Sequence, residues 1–148
     1  MAATPTKMGS SNTAVSELSA VAEKYDLALI ILHGSQAKGT AKPGSDYDIA
    51  VLRREGALDA DQILHLLLDL GQALGSERVD LVDLHRASPL LKYEAVRSAQ
   101  VLYEAKPGTF NLFHVLAWKL YQDDHYDLRR LDRLYVQQSL RRLIHDGH

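Results

Sequence analysis

Residues 27–32 read LALIIL. A continuous apolar run of that length is too short for a free-standing helix, and it lies between Asp26 and the pair Gly34-Ser35, so it predicts a buried strand. Upstream, Val15, Leu18, Val21 and Ala22 recur at helical spacing. They predict a helix that starts at Asn12 or Ser16 and ends near Tyr25, with an apolar stripe that needs a sheet to cover. Residues 34–45 (GSQAKGTAKPGS) hold three glycines, a proline and two lysines without apolar periodicity, and predict a loop. Asp46 to Arg53 (DYDIAVLR) turns β-prone at Ile49 and predicts a second strand. Ile63, Leu66, Leu67, Leu70 and Leu74 mark a helix over 59–74, with Asp59 as N-cap and Gly75 as its stop.

Arg78 to Leu84 (RVDLVDL) predicts a third strand, and Ser88-Pro89 a short helix to about Arg97, since proline suits a first helical turn. Val101 to Tyr103 predicts a short edge strand. Two helical stretches follow, one carrying Leu112, Val115, Leu116 and Leu120, the other Leu128, Leu131, Leu134 and Leu140, with a break expected at Asp123-Asp124. The order is that of an α/β (α+β) chain. At 148 residues, 46% of them apolar, there is material for one core. The expected division is a flexible segment over 1–12, a main domain over 13–106 and a helical extension over 107–148, packed on the domain or on a partner.

Charge narrows the functions. The net charge is −2 with both signs mixed along the chain, so extended binding to nucleic acid is not expected. No cysteine is present, which leaves oxygen or imidazole ligands for any metal. The N-terminal residues lack the apolar core of a secretory signal, and no apolar run approaches the ~20 residues of a membrane span. No membrane association and a cytoplasmic location are the expectation.

The unusual chemistry is at the start of the second strand. Side chains alternate along a strand, so Asp46 and Asp48 point the same way. At ~4 Å and an effective dielectric of ~20, two like charges repel by about 4 kcal/mol, so such a pair calls for something cationic between them. Oxygen ligands point to a hard ion such as Mg²⁺, which completes its octahedron with water and phosphate oxygens. A phosphate cradle stands just upstream. At Gly34-Ser35 glycine permits close backbone approach, and the amides and the serine hydroxyl can donate to phosphate oxygens. The third strand offers Asp80 on the face of Val82 and Leu84, and Asp83 on the face of Val79 and Leu81, so one of the two acids can join the pair. With Asp80, three acids can hold two ions that align an attacking hydroxyl and stabilise departing pyrophosphate, and Asp80 can also accept the hydroxyl's proton.

An apolar strand, Gly34-Ser35, ten intervening residues, Asp46-Tyr47-Asp48 and a later Val79-Asp80-Leu81 together resemble the nucleotidyltransferases of the DNA polymerase β-like superfamily. The likeness covers roughly residues 14 to 105. The short length looks like the minimal nucleotidyltransferase (MNT) group, antitoxins encoded beside a HEPN-domain ribonuclease toxin. The resemblance implies a small mixed sheet flanked by helices, with Gly34 and Ser35 on the nucleotide phosphates and Asp46, Asp48 and Asp80 as catalytic metal ligands for two Mg²⁺ ions. It implies transfer of AMP from ATP to a protein hydroxyl, a tyrosine of the toxin, within a hetero-oligomer. The alternatives are a small-molecule, aminoglycoside-type nucleotidyltransferase and a non-catalytic antitoxin that acts by binding alone.

Other features have blander readings. Lys38 and Lys42 could neutralise a triphosphate but suit a solvated loop better, and His33, where its strand meets the loop, could touch substrate but suits a packed strand end better. His65, His85, His114 and His125 lack convergent metal-ligand spacing. Arg142 and His148 match the Arg-x(4–6)-His spacing of HEPN ribonucleases, but a chain end frays and the chain reads as the transferase partner. Arg129, Arg130, Arg133, Arg141 and Arg142 are offset by Asp123, Asp124, Asp127 and Asp132 in a solvated helix face or a docking surface. Tyr121, Tyr126 and Tyr135 interleave with them.

Overall fold

The computed structural model of the chain describes residues 11–34, 47–125 and 137–144. Helix α1 spans Ser11–Tyr25, strand β1 Leu27–His33, β2 Tyr47–Arg53, helix α2 Ala60–Leu74, β3 Val79–Asp83, helix α3 Pro89–Arg97, β4 Gln100–Glu104 and helix α4 Thr109–His125. A last helix, α5, covers residues 137–144. Ser35, Lys38, Lys42, Asp46, Tyr126, Asp127, Arg129, Arg130, Asp132, Arg133, Tyr135 and His148 lie outside the described residues.

The strands form one mixed sheet in the order β3-β2-β1-β4. β1 pairs antiparallel with β2 and with β4, while β2 and β3 are parallel. A parallel pair needs a crossover, and α2 supplies it. None of the six residues of LALIIL is more than 4% exposed, which requires cover on both faces of the sheet. One layer buries Leu18 and Val21 of α1 and Leu66 and Leu70 of α2 against Ile30, Leu32, Ile49 and Val51. The other sets Val96 of α3, Phe113 and Ala117 of α4 and Ile144 of α5 against Leu29, Ile31, Ala50 and Leu52. The C-terminal helices thus share the main core.

Local chemistry explains several boundaries. Asp59 caps α2 in a capping box: its side chain accepts from the Gln62 amide at 2.8 Å, and the Gln62 side chain accepts from the Asp59 amide at 2.9 Å. Gly75 ends the helix in the left-handed conformation. Ser88 caps α3, with Pro89 in its first turn. Asp83 does fall on the face opposite Asp80. Its buried carboxylate accepts from the backbone of Leu58 at 2.8 Å and of His85 at 2.9 Å, tying the segment before α2 to the end of β3. The His85 ring lies 2.6 Å from the Arg53 carbonyl, a structural contact.

Two expectations are corrected. The helix does not break at Asp123-Asp124 but runs on to His125. Phe113, Ala117, Leu120 and Asp123 all face inward at helical spacing, so burial carries the helix through a pair of poor helix formers. Asp123, 1% exposed, therefore belongs to no solvated face. Tyr121 is also committed within the chain: its ring stacks on Tyr93 at a centroid distance of 4.7 Å.

Asp69 joins α1 to α2. One carboxylate oxygen accepts from the Tyr25 hydroxyl at 2.7 Å and from the Lys24 ammonium at 3.0 Å. The Tyr25 hydroxyl first, and then Lys24, hold the carboxyl below its usual range, with burial opposing them. A carboxyl depressed on folding adds stability above its unfolded-state value of about 3.9 and loses it as pH falls through the lower folded value. Asp69→Asn is expected to remove this contribution. Urea midpoints of the variant and the parent should therefore differ at pH 6 and draw together as pH falls below about 3.9; parallel profiles would contradict the assignment.

Candidate active site

β1 ends at His33 and Gly34, where Gly34 takes a positive φ of 76° that a side chain would strain. Here the chain turns directly over Asp48. A Cβ on Gly34 would overlap the Asp48 Oδ2 and lie 3.0 Å from its Cγ. Glycine is required on both counts.

Asp48 is the second residue of β2 and half-buried. Its register partner on β3 is Asp80 and on β1 is His33. Neighbouring strands lie ~4.8 Å apart, and residues in register share a face, so Asp80, Asp48 and His33 form a row across three strands. The row stands on the side of the sheet that Ala50, Leu52 and α3 occupy deeper in the core. Asp80 is the exposed end of the row. The adjacent Tyr47 faces the other way into the core, where burial pushes its phenol up, and its amide donates to the Arg78 carbonyl at 2.7 Å, holding the start of β2 against β3.

The structure therefore brings together Gly34, Asp48 and Asp80 of the predicted site; Ser35 and Asp46 lie outside the described residues. Sequence reasoning weighed His33 for substrate contact and placed it outside the site as a packed strand end. Burial pushes its imidazole below the ordinary value, with the charge of Asp48 pulling the other way. Its Nε2 is closed to solvent and, among the described residues, has no hydrogen-bond partner. Leaving such a group unsatisfied costs about 1–3 kcal/mol. In the sequence a polar ring ends the LALIIL run at the parity of Leu29 and Ile31, which marks its face but not its neighbour across the sheet.

Two adjacent carboxylates, open to solvent on the Asp80 side, fit a hard divalent cation that takes few protein ligands and fills its shell with water and phosphate. Among the described residues no three His, Asp or Glu side chains converge to enclose a metal ion. No helix among them is long and apolar enough to cross a membrane.

A four-stranded mixed sheet with helices on both faces, Gly34 close over a strand-borne aspartate and a second aspartate in register are the features of a nucleotidyltransferase. The family described as polymerase beta, nucleotidyltransferase, matches residues 16–108. The chain belongs to this family. The protein adenylyltransferase MntA of Aphanizomenon flos-aquae is 31% identical over a 96-residue alignment that covers 59% of this chain and 63% of the relative, so the matched part spans less than two thirds of that protein. The crystal structure of a toxin-antitoxin complex with AMP-PNP is similar at a TM-score of 0.65 and 33% identity, covering 76% of this chain and 90% of that one. The structure of a tri-AMPylated Shewanella oneidensis HEPN toxin in complex with its MNT antitoxin is similar at 0.61 and 29% identity, covering 79% and 91%.

Proposed function

We propose that this chain is a protein adenylyltransferase antitoxin, which transfers AMP from ATP to a hydroxyl, a tyrosine, of a cognate HEPN-domain toxin and so neutralises it. The observation that carries the reading is the Asp48–Asp80 register pair beneath the Gly34 turn. It stands in a fold shared with a toxin-antitoxin complex that holds AMP-PNP and with an antitoxin whose HEPN partner is AMPylated.

In this reading Gly34 and Ser35 hold the nucleotide phosphates, and Asp46, Asp48 and Asp80 hold two Mg²⁺ ions. When bound, the ions offset the charge of the triphosphate and of departing pyrophosphate. The residues of the chain provide position. Gly34 lets the backbone approach the phosphates without a side chain between them and Asp48. Asp80, exposed at the end of the row, accepts the proton of the acceptor hydroxyl as its oxygen bonds the α-phosphorus and the bond from that phosphorus to the bridging oxygen of pyrophosphate breaks. A carboxylate open to solvent can meet a hydroxyl carried by a macromolecule.

The test is incubation of the full chain with α-labelled ATP and Mg²⁺, with and without a co-expressed HEPN-domain partner, resolved by intact mass. Added AMP on the partner, absent when Asp46 and Asp48 are both replaced by alanine, is the expected result. Binding of ATP by the parent chain with no transfer to any protein would overturn it in favour of a small-molecule acceptor or of neutralisation by binding alone.

A further inference from the structure

The row across the sheet has a third member. Asp48 meets a carboxylate on one side, Asp80, and an imidazole on the other, His33. The turn at Gly34 closes over the same carboxylate, its backbone so near that no Cβ could stand there. Asp48 is therefore walled on three sides, and only one wall carries a group able to donate a hydrogen bond from a side chain. His33 is half-buried, and among the described residues the charge that acts on its ring is that of Asp48.

We infer that His33 is a positioning residue for Asp48: from the neighbouring strand its imidazole fixes the orientation of that carboxylate for the divalent cation of nucleotidyl transfer. The inference rests on the reading given under Proposed function and adds a residue to it. Three observations support it. The two side chains are opposite one another in an antiparallel pair, where side chains are in reach of each other. The ring nitrogen Nε2 is shut off from solvent and unpartnered among the described residues, so a hydrogen-bonding capacity is held in reserve at the site. An apolar residue would continue the LALIIL strand and pack without leaving a polar atom unmet, so packing alone does not account for an imidazole here. A neutral ring can donate to a carboxylate while leaving its charge for the cation, whereas a lysine or arginine would compete with the cation. Carboxylates that bind metals are commonly oriented in this way by a hydrogen-bonded neighbour.

The experiment measures cation binding directly. Free Mn²⁺ is followed by electron paramagnetic resonance as the full chain is titrated with Mn²⁺ in the presence of ATP, for the parent, His33→Phe, His33→Leu and His33→Gln. Both apolar variants should bind Mn²⁺ about tenfold or more weakly, at an unchanged or raised urea midpoint, and His33→Gln, which keeps a side-chain N–H, should recover most of the affinity. Leucine serves if phenylalanine overpacks the strand end. Apolar variants that bind Mn²⁺ like the parent, or a glutamine variant as weak as they are, would overturn the role of His33 while leaving the transferase reading intact. A parent chain that takes up no Mn²⁺ with ATP would overturn both.

Discussion

Asp48→Asn is expected to lower AMP transfer by about a thousandfold or more, while the protein stays folded. The change is nearly isosteric and removes one negative charge from a site that must gather a cation and a triphosphate. Electrostatic stabilisation by a metal site amounts to several kcal/mol, and each 1.36 kcal/mol is tenfold in rate, so about 4 kcal/mol corresponds to that loss. Stability should move the other way. Asp48 and Asp80 stand side by side on neighbouring strands, and without the cation their like charges oppose folding; solvent around exposed Asp80 reduces that repulsion to a fraction of its value in a closed interior. The metal-free urea midpoint of Asp48→Asn should thus equal or slightly exceed that of the parent. A variant that retains more than a tenth of the initial rate of labelled AMP transfer would remove Asp48 from the catalytic site, whatever its stability.

The second large effect is expected from the smallest substitution. Gly34→Ala places a methyl group on the Asp48 Oδ2 and forces a non-glycine residue to a φ of 76°. The backbone strain alone is about 1–2 kcal/mol. The overlap is relieved only if the turn or the carboxylate moves. Displacing a reacting or positioning group by about 1 Å can cost about a hundredfold in rate, and that is the loss expected for transfer, together with a lower urea midpoint. The two causes can be separated. In a Gly34→Ala/Asp48→Ala double variant the overlap is gone and the strain remains, so the pair should be more stable than the two single changes predict by addition, because residues in contact do not add. Strict additivity, or a Gly34→Ala protein with the stability and rate of the parent, would show that the turn does not press on Asp48.

Much of this was legible before any coordinates. LALIIL as a buried strand follows from length and composition. The ends of α2 and α3 follow from capping chemistry at Asp59, Gly75, Ser88 and Pro89, which acts within a few residues. Strand parity puts Asp80 and Asp83 on opposite faces, the family resemblance names Asp80, and the bonds of Asp83 to the Leu58 and His85 amides show what the other acid does. What escaped depends on partners distant in sequence. His33 joins the row only through the register of β1 against β2, which parity within one strand does not reveal. The inward face of Asp123 required knowing that α3 packs against α4. The register shift between Leu27 and Leu29 puts Ala28 and Leu29 in the same core layer, which strict alternation would have divided. The roles given to Ser35 and Asp46 rest on the family resemblance and on the turn and strand they adjoin.

The row of side chains draws one group from each of three strands, and β1 is bordered on its other side by β4, which is complete only at Glu104. A chain emerging from the ribosome has made the Gly34 turn and Asp48 long before it has the segments that hold them in place. Domains fold as units during synthesis, and contacts between distant segments form late. The active arrangement should therefore arise in one step once the sheet is whole. Products truncated before the fourth strand would then be inert rather than partly active.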